Sequence, residues 1–243
     1  MNIDEIKYII NSNSKDILQD GRNVIVKHRL NTDEVIVIKS FKFPNMINKI
    51  IYKYFRKSKA RRSFEYATIL LEKGIGTPQP IAFFENYDSI GLKDSYYVSE
   101  HLECDLTFRE LVENPDFPNH AAILRQFSKF SFDLHEQGIE FLDHSPGNTL
   151  IKKVSENQYQ FFLVDLNRMN FHETMNFDLR MKNLSHLTPK MEMIEMMSNE
   201  YSKFYTSQNE KEIFKKMWFY TSKFQKKLFQ KRRMKKKLKF WKK

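Results

Sequence analysis

Two carboxylates and one amide carry the spacing in this sequence that could do chemistry. Asp143 precedes Asn148 by five positions in Phe141-Leu-Asp-His-Ser-Pro-Gly-Asn-Thr-Leu150, and Asp165 closes the apolar run Phe161-Phe-Leu-Val164. On one loop, a carboxylate can align an attacking hydroxyl and accept its proton while an amide five residues on holds a divalent cation. A second carboxylate at the end of a buried strand completes the cation site. Phosphoryl transfer from ATP needs this set, with Mg²⁺ on the phosphates. Ser-Pro-Gly-Asn by itself is an ordinary turn signal, so the weight rests on what surrounds it.

The surroundings supply positioning elements in a definite order. Ile123, Phe127, Phe130 and Leu134 recur at helical spacing and run into Leu134-His-Glu-Gln-Gly138, where the glycine stops the helix. Downstream, Thr149–Lys153 and Gln158–Val164 read as two strands joined by the polar turn Ser155-Glu-Asn157. Helix, loop, hairpin, carboxylate is the order in the C-terminal lobe of kinase-type folds, whose catalytic loop has the same Asp-to-Asn interval.

Such a fold also needs a strand lysine for the α- and β-phosphates and a helix glutamate to hold it. The β-branched run Val35-Ile-Val-Ile ends in Lys39, after a strand at Asn23–Leu30 and a turn at Asn31–Glu34. A helix over Ala60–Lys73 carries Glu65, the expected partner of Lys39, and stops at Gly74 before Pro78 and Pro80. Glu72 competes for that role but lies in the last turn, where a negative charge opposes the helix dipole. No glycine-rich phosphate loop occurs. Gly21, the one glycine before the Lys39 strand, either turns a hairpin over the phosphates together with Arg22 or is a plain hairpin turn.

These residues resemble the lipopolysaccharide core kinases of Gram-negative bacteria, which phosphorylate Kdo (3-deoxy-D-manno-octulosonic acid) or heptose. The resemblance runs from about Arg22 to the C-terminus. Ile38-Lys-Ser-Phe41, Arg62-Ser-Phe-Glu65, Leu71-Glu-Lys-Gly-Ile-Gly-Thr-Pro-Gln-Pro80, Tyr97-Val-Ser-Glu100, Asp143–Asn148 and Val164-Asp-Leu-Asn-Arg168 carry it. It implies a two-lobed, protein-kinase-like α+β fold, with a small β-rich lobe over Met1–Ser99 and a larger helical lobe over Glu100–Lys243. It also implies ATP and Mg²⁺ as cofactors. Asp143 would be the base, Asn148 and Asp165 the metal ligands, and Lys39 the phosphate clamp. Tyr97–His101 would be the hinge strand, with the backbone at Glu100 and Leu102 meeting adenine, and Arg168 would contact an anionic sugar acceptor. The chain departs from the H-G-D-x-H-P-G-N loop of related phosphotransferases, with Phe141 for the first His and Ser145 for the second.

Composition narrows the setting. The 22 phenylalanines point to aromatic cores, the single Cys104 excludes an internal disulfide and reads as a small buried hydrophobe, and the seven His form no zinc pattern. The N-terminus has no secretory pattern and no apolar run reaches the length of a membrane span, so a cytoplasmic protein is expected. The net charge of +11 is concentrated at one end. No acidic residue follows Glu212, while eleven Lys and Arg lie between Lys226 and Lys243. With Met217, Phe224, Leu228, Met234, Leu238 and Trp241 interleaved, the segment reads as a core-packing helix up to Leu228. Beyond that it reads as a basic amphipathic tail for the anionic inner face of the inner membrane. Nucleic acid is disfavoured, since no recognition module accompanies the tail. A second basic stretch, Lys49–Arg62, faces either lipid A phosphates and the membrane or plain solvent.

The sequence thus leads to an ATP-dependent kinase of the lipopolysaccharide inner core, with the lipid A-core precursor as partner and Kdo preferred to heptose. The alternatives are a phosphotransferase for another small molecule, of the aminoglycoside type, and a catalytically silent membrane-associated pseudokinase.

Overall fold

The computed structural model describes residues 1–12, 16–21 and 23–240; Arg22, Trp241, Lys242 and Lys243 lie outside them. The chain divides into two compact units, Met1–Glu103 with Phe162–Arg168, and Cys104–Phe161 with Met169–Lys243.

The N-terminal unit is built on a five-stranded antiparallel sheet of order β1-β2-β3-β5-β4. The strands are β1 (Asp16–Asp20), β2 (Val24–Arg29), β3 (Val35–Ser40), β4 (Pro80–Tyr87) and β5 (Leu92–Glu100). Alternation along β3 buries Ile36 and Ile38 against Val26, Val98 and Tyr96, and helix α1 (Ile3–Asn11) adds Ile6 and Ile9 to that core. Asn2 and Glu5 fasten the start of α1 with a reciprocal capping box. Two further helices lie between β3 and β4: α2 (Met46–Tyr54) and α3 (Lys59–Glu72). The basic stretch read as one segment is therefore two elements, parted at Phe55–Ser58, where Ser58 caps α3 by accepting the Arg61 N–H. At the other end of α3, Gly74 takes φ +71°. Its N–H meets the Leu71 carbonyl, and the Ile75 N–H meets that of Leu70. This paired closure is what a left-handed residue after a helix permits.

The C-terminal unit is mostly helical. Its helices are α4 (Phe108–Glu113), α5 (His120–Glu136), α6 (Phe177–Asn183), α7 (Met191–Ser202) and α8 (Glu210–Phe240). Its strands are β6 (Leu106–Thr107), β7 (Ile139–Phe141), β8 (Thr149–Ser155) and β10 (Met169–Phe171), while β9 (Gln158–Leu163) runs out of it into Phe162–Arg168. β7 pairs antiparallel with β10, and β6-β8-β9 form a three-stranded sheet. The core gathers Ile123, Phe127, Leu111, Phe161, Met197 and Tyr201, the α5 residues on the face that the periodicity marked. Helix α8 buries Ile213, Met217 and Thr221, and from Phe229 to Lys236 its side chains are exposed. Packing before Leu228 and exposure after it follow from the loss of apolar residues at helical spacing. Cys104 is exposed, not buried, because it lies in the irregular segment between β5 and β6. Among the described residues no helix is long and apolar enough to cross a membrane.

Candidate active site

In the N-terminal unit the strand lysine and the metal-type carboxylate meet directly. Lys39 lies on the opposite face of β3 from Ile36 and Ile38, paired with Ile25 and Tyr97, and is 9% exposed. Its Nζ lies 2.7 Å from Asp165 Oδ1. Asp165 Oδ1 also accepts the Asn167 side-chain amide at 2.6 Å. The Asp165 backbone is left-handed, φ +61°, a conformation that costs energy outside glycine and persists where the surroundings over-determine it. Those surroundings are visible on both sides. Upstream, Leu163 donates its N–H to the Gly76 carbonyl and accepts the Thr77 hydroxyl, both at 2.8 Å. Downstream, the buried Arg62 guanidinium donates to the Asn167 carbonyl at 2.7 Å and to the Ser58 carbonyl at 3.4 Å. Burial, with Arg56 adding to it, pushes the Arg62 pKa down.

Glu65 does not clamp Lys39. Its carboxylate is held by Lys57 at 2.8 Å and by Arg61 at 3.0 Å. Burial would raise its pKa, but the hydrogen bonds from Lys57 and Arg61 outweigh that and the net direction is down. The reason is local. Arg61 stands one turn before Glu65 on the same helix face, and the Lys39 ammonium already has a carboxylate in Asp165. The α3 side chain that reaches the Asp165 loop is Arg62, whose role the sequence reading missed although it stands in the Arg-Ser-Phe-Glu segment. Glu72 is exposed, as the helix-dipole argument expects.

The other predicted N-terminal residues are placed as follows. Gly21 follows β1 in the connection to β2, with open space where a Cβ would be. Its φ is not in the left-handed range, so nothing there demands glycine. Glu100 ends β5, and its N–H is committed to the Gln79 carbonyl at 2.9 Å. Leu102, the other expected hinge residue, lies two positions past the end of β5. Arg168 is exposed just before β10.

In the C-terminal unit the loop from β7 to β8 carries Asp143 and Asn148. The Asn148 side-chain N–H donates to the Asp143 carbonyl at 2.8 Å, and its backbone N–H to the Ser145 carbonyl at 2.9 Å. The five-residue interval thus closes the loop on itself, fixing the residue that bears the carboxylate. Beneath it, Phe141 is fully buried, and its carbonyl accepts the Asn183 amide at 2.8 Å. Asn183 Oδ1 takes the His135 Nε2–H at 3.3 Å, and His135 Nδ1 faces the Tyr201 hydroxyl at 2.8 Å. An acceptor on one nitrogen and a hydroxyl on the other hold that ring neutral, and burial lowers its pKa to about 3. His144 is equally buried, between Phe127 and Phe141, with no hydrogen bond to either nitrogen. Burial lowers its pKa to about 4. The loop is not without a cation nearby: from α4, the exposed Arg109 guanidinium lies 2.7 Å from where a Gly147 Cβ would sit.

Each unit carries one donor of a type that magnesium takes. Asp165 offers a carboxylate, and Asn148, with its amide nitrogen spent on the loop, offers an amide oxygen; both are the hard ligands Mg²⁺ takes. Among the described residues no group of three or more His, Cys, Asp or Glu is placed to hold a metal. A sparse protein ligand set completed by phosphate oxygens and water is the usual magnesium arrangement.

No curated protein matches the chain. Among solved structures it is similar to one described as WaaP in complex with acyl carrier protein. The identity is 14%, the match covers 92% of this chain and 90% of that one, and the TM-score is 0.63, so the kinase fold is shared. The family model for lipopolysaccharide kinases matches residues 40–234. The chain therefore belongs to the lipopolysaccharide kinase (Kdo/WaaP) family, phosphotransferases that act on sugar hydroxyls.

Proposed function

We propose that the chain transfers the γ-phosphoryl group of ATP to a hydroxyl of Kdo in the lipopolysaccharide inner core, with heptose as the second acceptor. Asp143 aligns the acceptor hydroxyl and takes its proton, and Asn148 keeps the Asp143 backbone in place for that task. Lys39 neutralises charge on the α- and β-phosphates. Asn148 and Asp165 would hold Mg²⁺, which when bound would supply neutralisation of the phosphate charge. Glu65 acts through Lys57 and Arg61, which hold its carboxylate. Arg168 meets the anionic acceptor.

The observation that carries this reading is the Asn148-to-Asp143 lock, since a degenerate loop has no reason to keep it. The pseudokinase reading has the missing glycine-rich loop in its favour, and the intact Lys39, Asp143, Asn148 and Asp165 set against it. A freely diffusing small acceptor fits poorly with a helix that stays basic and exposed beyond Leu228. That segment would hold the enzyme on the cytoplasmic face of the inner membrane, where its lipid-linked acceptor lies. Incubation with ATP, Mg²⁺ and separate Kdo- and heptose-terminated core saccharides, followed by weighing the products, tests it. A mass gain of one phosphate on Kdo alone supports the proposal. Gain on heptose alone overturns the acceptor, and no gain on either overturns the activity.

A further inference from the structure

Helix α2 is mounted the wrong way round for an ordinary surface helix. Met46, Ile47, Ile50 and Tyr54 fall within an arc of roughly 100°, and all four are exposed, Ile47 at 71%. Phe43 before the helix and Phe55 after it are exposed too, Phe55 at 82%. No residue of α2 is buried. The other edge of the helix is the one fastened down. The Lys49 ammonium pairs with Asp88, and Lys53 Nζ donates to the Ser89 carbonyl at 3.2 Å. The Lys49 carbonyl comes so close to Gly91 that a Cβ there would stand 2.4 Å from it. Asp88 is itself set by accepting the Ile90 and Gly91 N–H groups. A helix free to roll would put its apolar stripe on the sheet; here the lysines and the glycine contact hold the stripe outward.

The charge around the stripe says what it meets. From Val35 to Phe64 the sequence has nine Lys and Arg and no acidic residue. Alongside α2 is a cleft of about 400 Å³ whose lining combines Phe43, Pro44 and Tyr52 with Lys42 and Lys59. Apolar and aromatic side chains on a projecting ridge, ringed by cations, are what an interfacial helix shows to anionic lipid. The exposed stripe of Met46, Ile47, Ile50 and Tyr54 is itself a ridge and not a groove for a partner's helix.

We propose that α2 is a membrane-docking element: Met46, Ile47, Ile50 and Tyr54, with Phe43 and Phe55, enter the headgroup–acyl boundary of an anionic bilayer. This contact is separate from the basic end of α8 and independent of phosphotransfer, so it stands or falls apart from the proposed reaction.

The test uses the full chain. Cys104→Ser removes the single native thiol, and Ile47→Cys then carries an environment-sensitive fluorophore. With vesicles of phosphatidylcholine and phosphatidylglycerol, the emission should shift to the blue and be quenched by nitroxides in the acyl region. Vesicles of phosphatidylcholine alone should give at least about tenfold weaker binding. The same label at exposed Tyr8 on α1 should not shift. At high salt, where the contribution of exposed charges is screened, Ile47→Ser with Phe55→Ser should lower the remaining vesicle binding about tenfold or more. Protein that sediments with vesicles while the label at 47 stays water-like would overturn the proposal, leaving binding to the tail alone. A shift with poly-L-glutamate but not with vesicles would overturn it in favour of an acidic protein partner.

Discussion

Gly74 and Gly138 both follow a helix at φ +71°, yet replacing them with alanine should have very different consequences. At either site the new Cβ meets the left-handed penalty of about 1–2 kcal/mol, offset in part by the reduced freedom of the unfolded chain. At Gly74 nothing lies within 4 Å of a Cβ, so the penalty is the whole effect. A net loss of about 1 kcal/mol lowers Tm by about 2–4 °C in a chain of this size. At Gly138 the Cβ would stand 1.9 Å from the His172 carbonyl oxygen. Ordinary contact needs about 3.5 Å, so the backbones must part by roughly 1.5 Å. That displacement breaks the His172 N–H to Gly138 carbonyl bond and opens the β7–β10 pair at its end. The expected loss is about 3–5 kcal/mol, or a Tm drop of about 6–20 °C. Because β7 leads directly into Asp143, a shift near 1 Å should also lower turnover about 10²-fold at a temperature where both variants are folded. Calorimetry and phosphate transfer to a core saccharide, run on the two variants side by side, measure both effects. Equal Tm shifts, or a Gly138→Ala enzyme as active as Gly74→Ala, would refute the steric argument.

Asp143→Asn keeps shape but removes proton acceptance, so turnover should fall by about 10²-fold or more with ATP affinity nearly unchanged; near-normal turnover would remove Asp143 from the role of base. Asp165→Ala should weaken nucleotide binding in calorimetry with Mg²⁺ present, and identical affinities for variant and wild type in Mg²⁺ would contradict its place as a ligand. Buried His135 and His144 stay neutral to about pH 3 and 4, whereas unfolded histidines protonate below about 6.5. Between those limits the unfolded chain binds more protons, so stability should fall as pH drops, by about 1.4 kcal/mol per pH unit for each ring. His144→Leu, which abandons no hydrogen bond, should make urea unfolding less sensitive to the change from pH 7 to pH 5; an unchanged slope would count against a neutral buried ring. Deleting 231–243 should reduce the salt-sensitive part of vesicle binding and spare activity on a short soluble saccharide, whereas a packing role predicts loss of both activity and Tm.

What the sequence discloses here is whatever one segment decides alone. Asp143 and Asn148 are legible because a single loop must place both. Lys39 is legible because the β-branched run before it sets its strand register, and the α5 face because its period is helical. What depends on a second segment is not. Glu65 was matched to Lys39 by their order in the chain, but its carboxylate is taken by Lys57 and Arg61, closer on α3 and just before it. Arg62 holds a carbonyl 105 positions away, and the His135–Asn183–Phe141 relay joins three elements. Cys104 went wrong for a different reason: cysteine's usual burial is an average, and this one falls in an irregular connection. The outward mounting of α2 needed Asp88, Ser89 and Gly91, which no pattern within α2 announces.

The Lys39–Asp165 ion pair gives each group a counter-charge supplied by the fold itself. The nearly buried ammonium of Lys39 does not have to stand alone, and neither charge would have to be created on binding. On the proposed reading, nucleotide binding would be a partner exchange, with Lys39 turning to the phosphates and Asp165 left to receive a cation. A metal-free nucleotide would complete only half of it, drawing off the lysine and stranding the carboxylate beside added negative charge. Nucleotide and metal would thereby be linked energetically through one ion pair, and each should bind more tightly in the presence of the other.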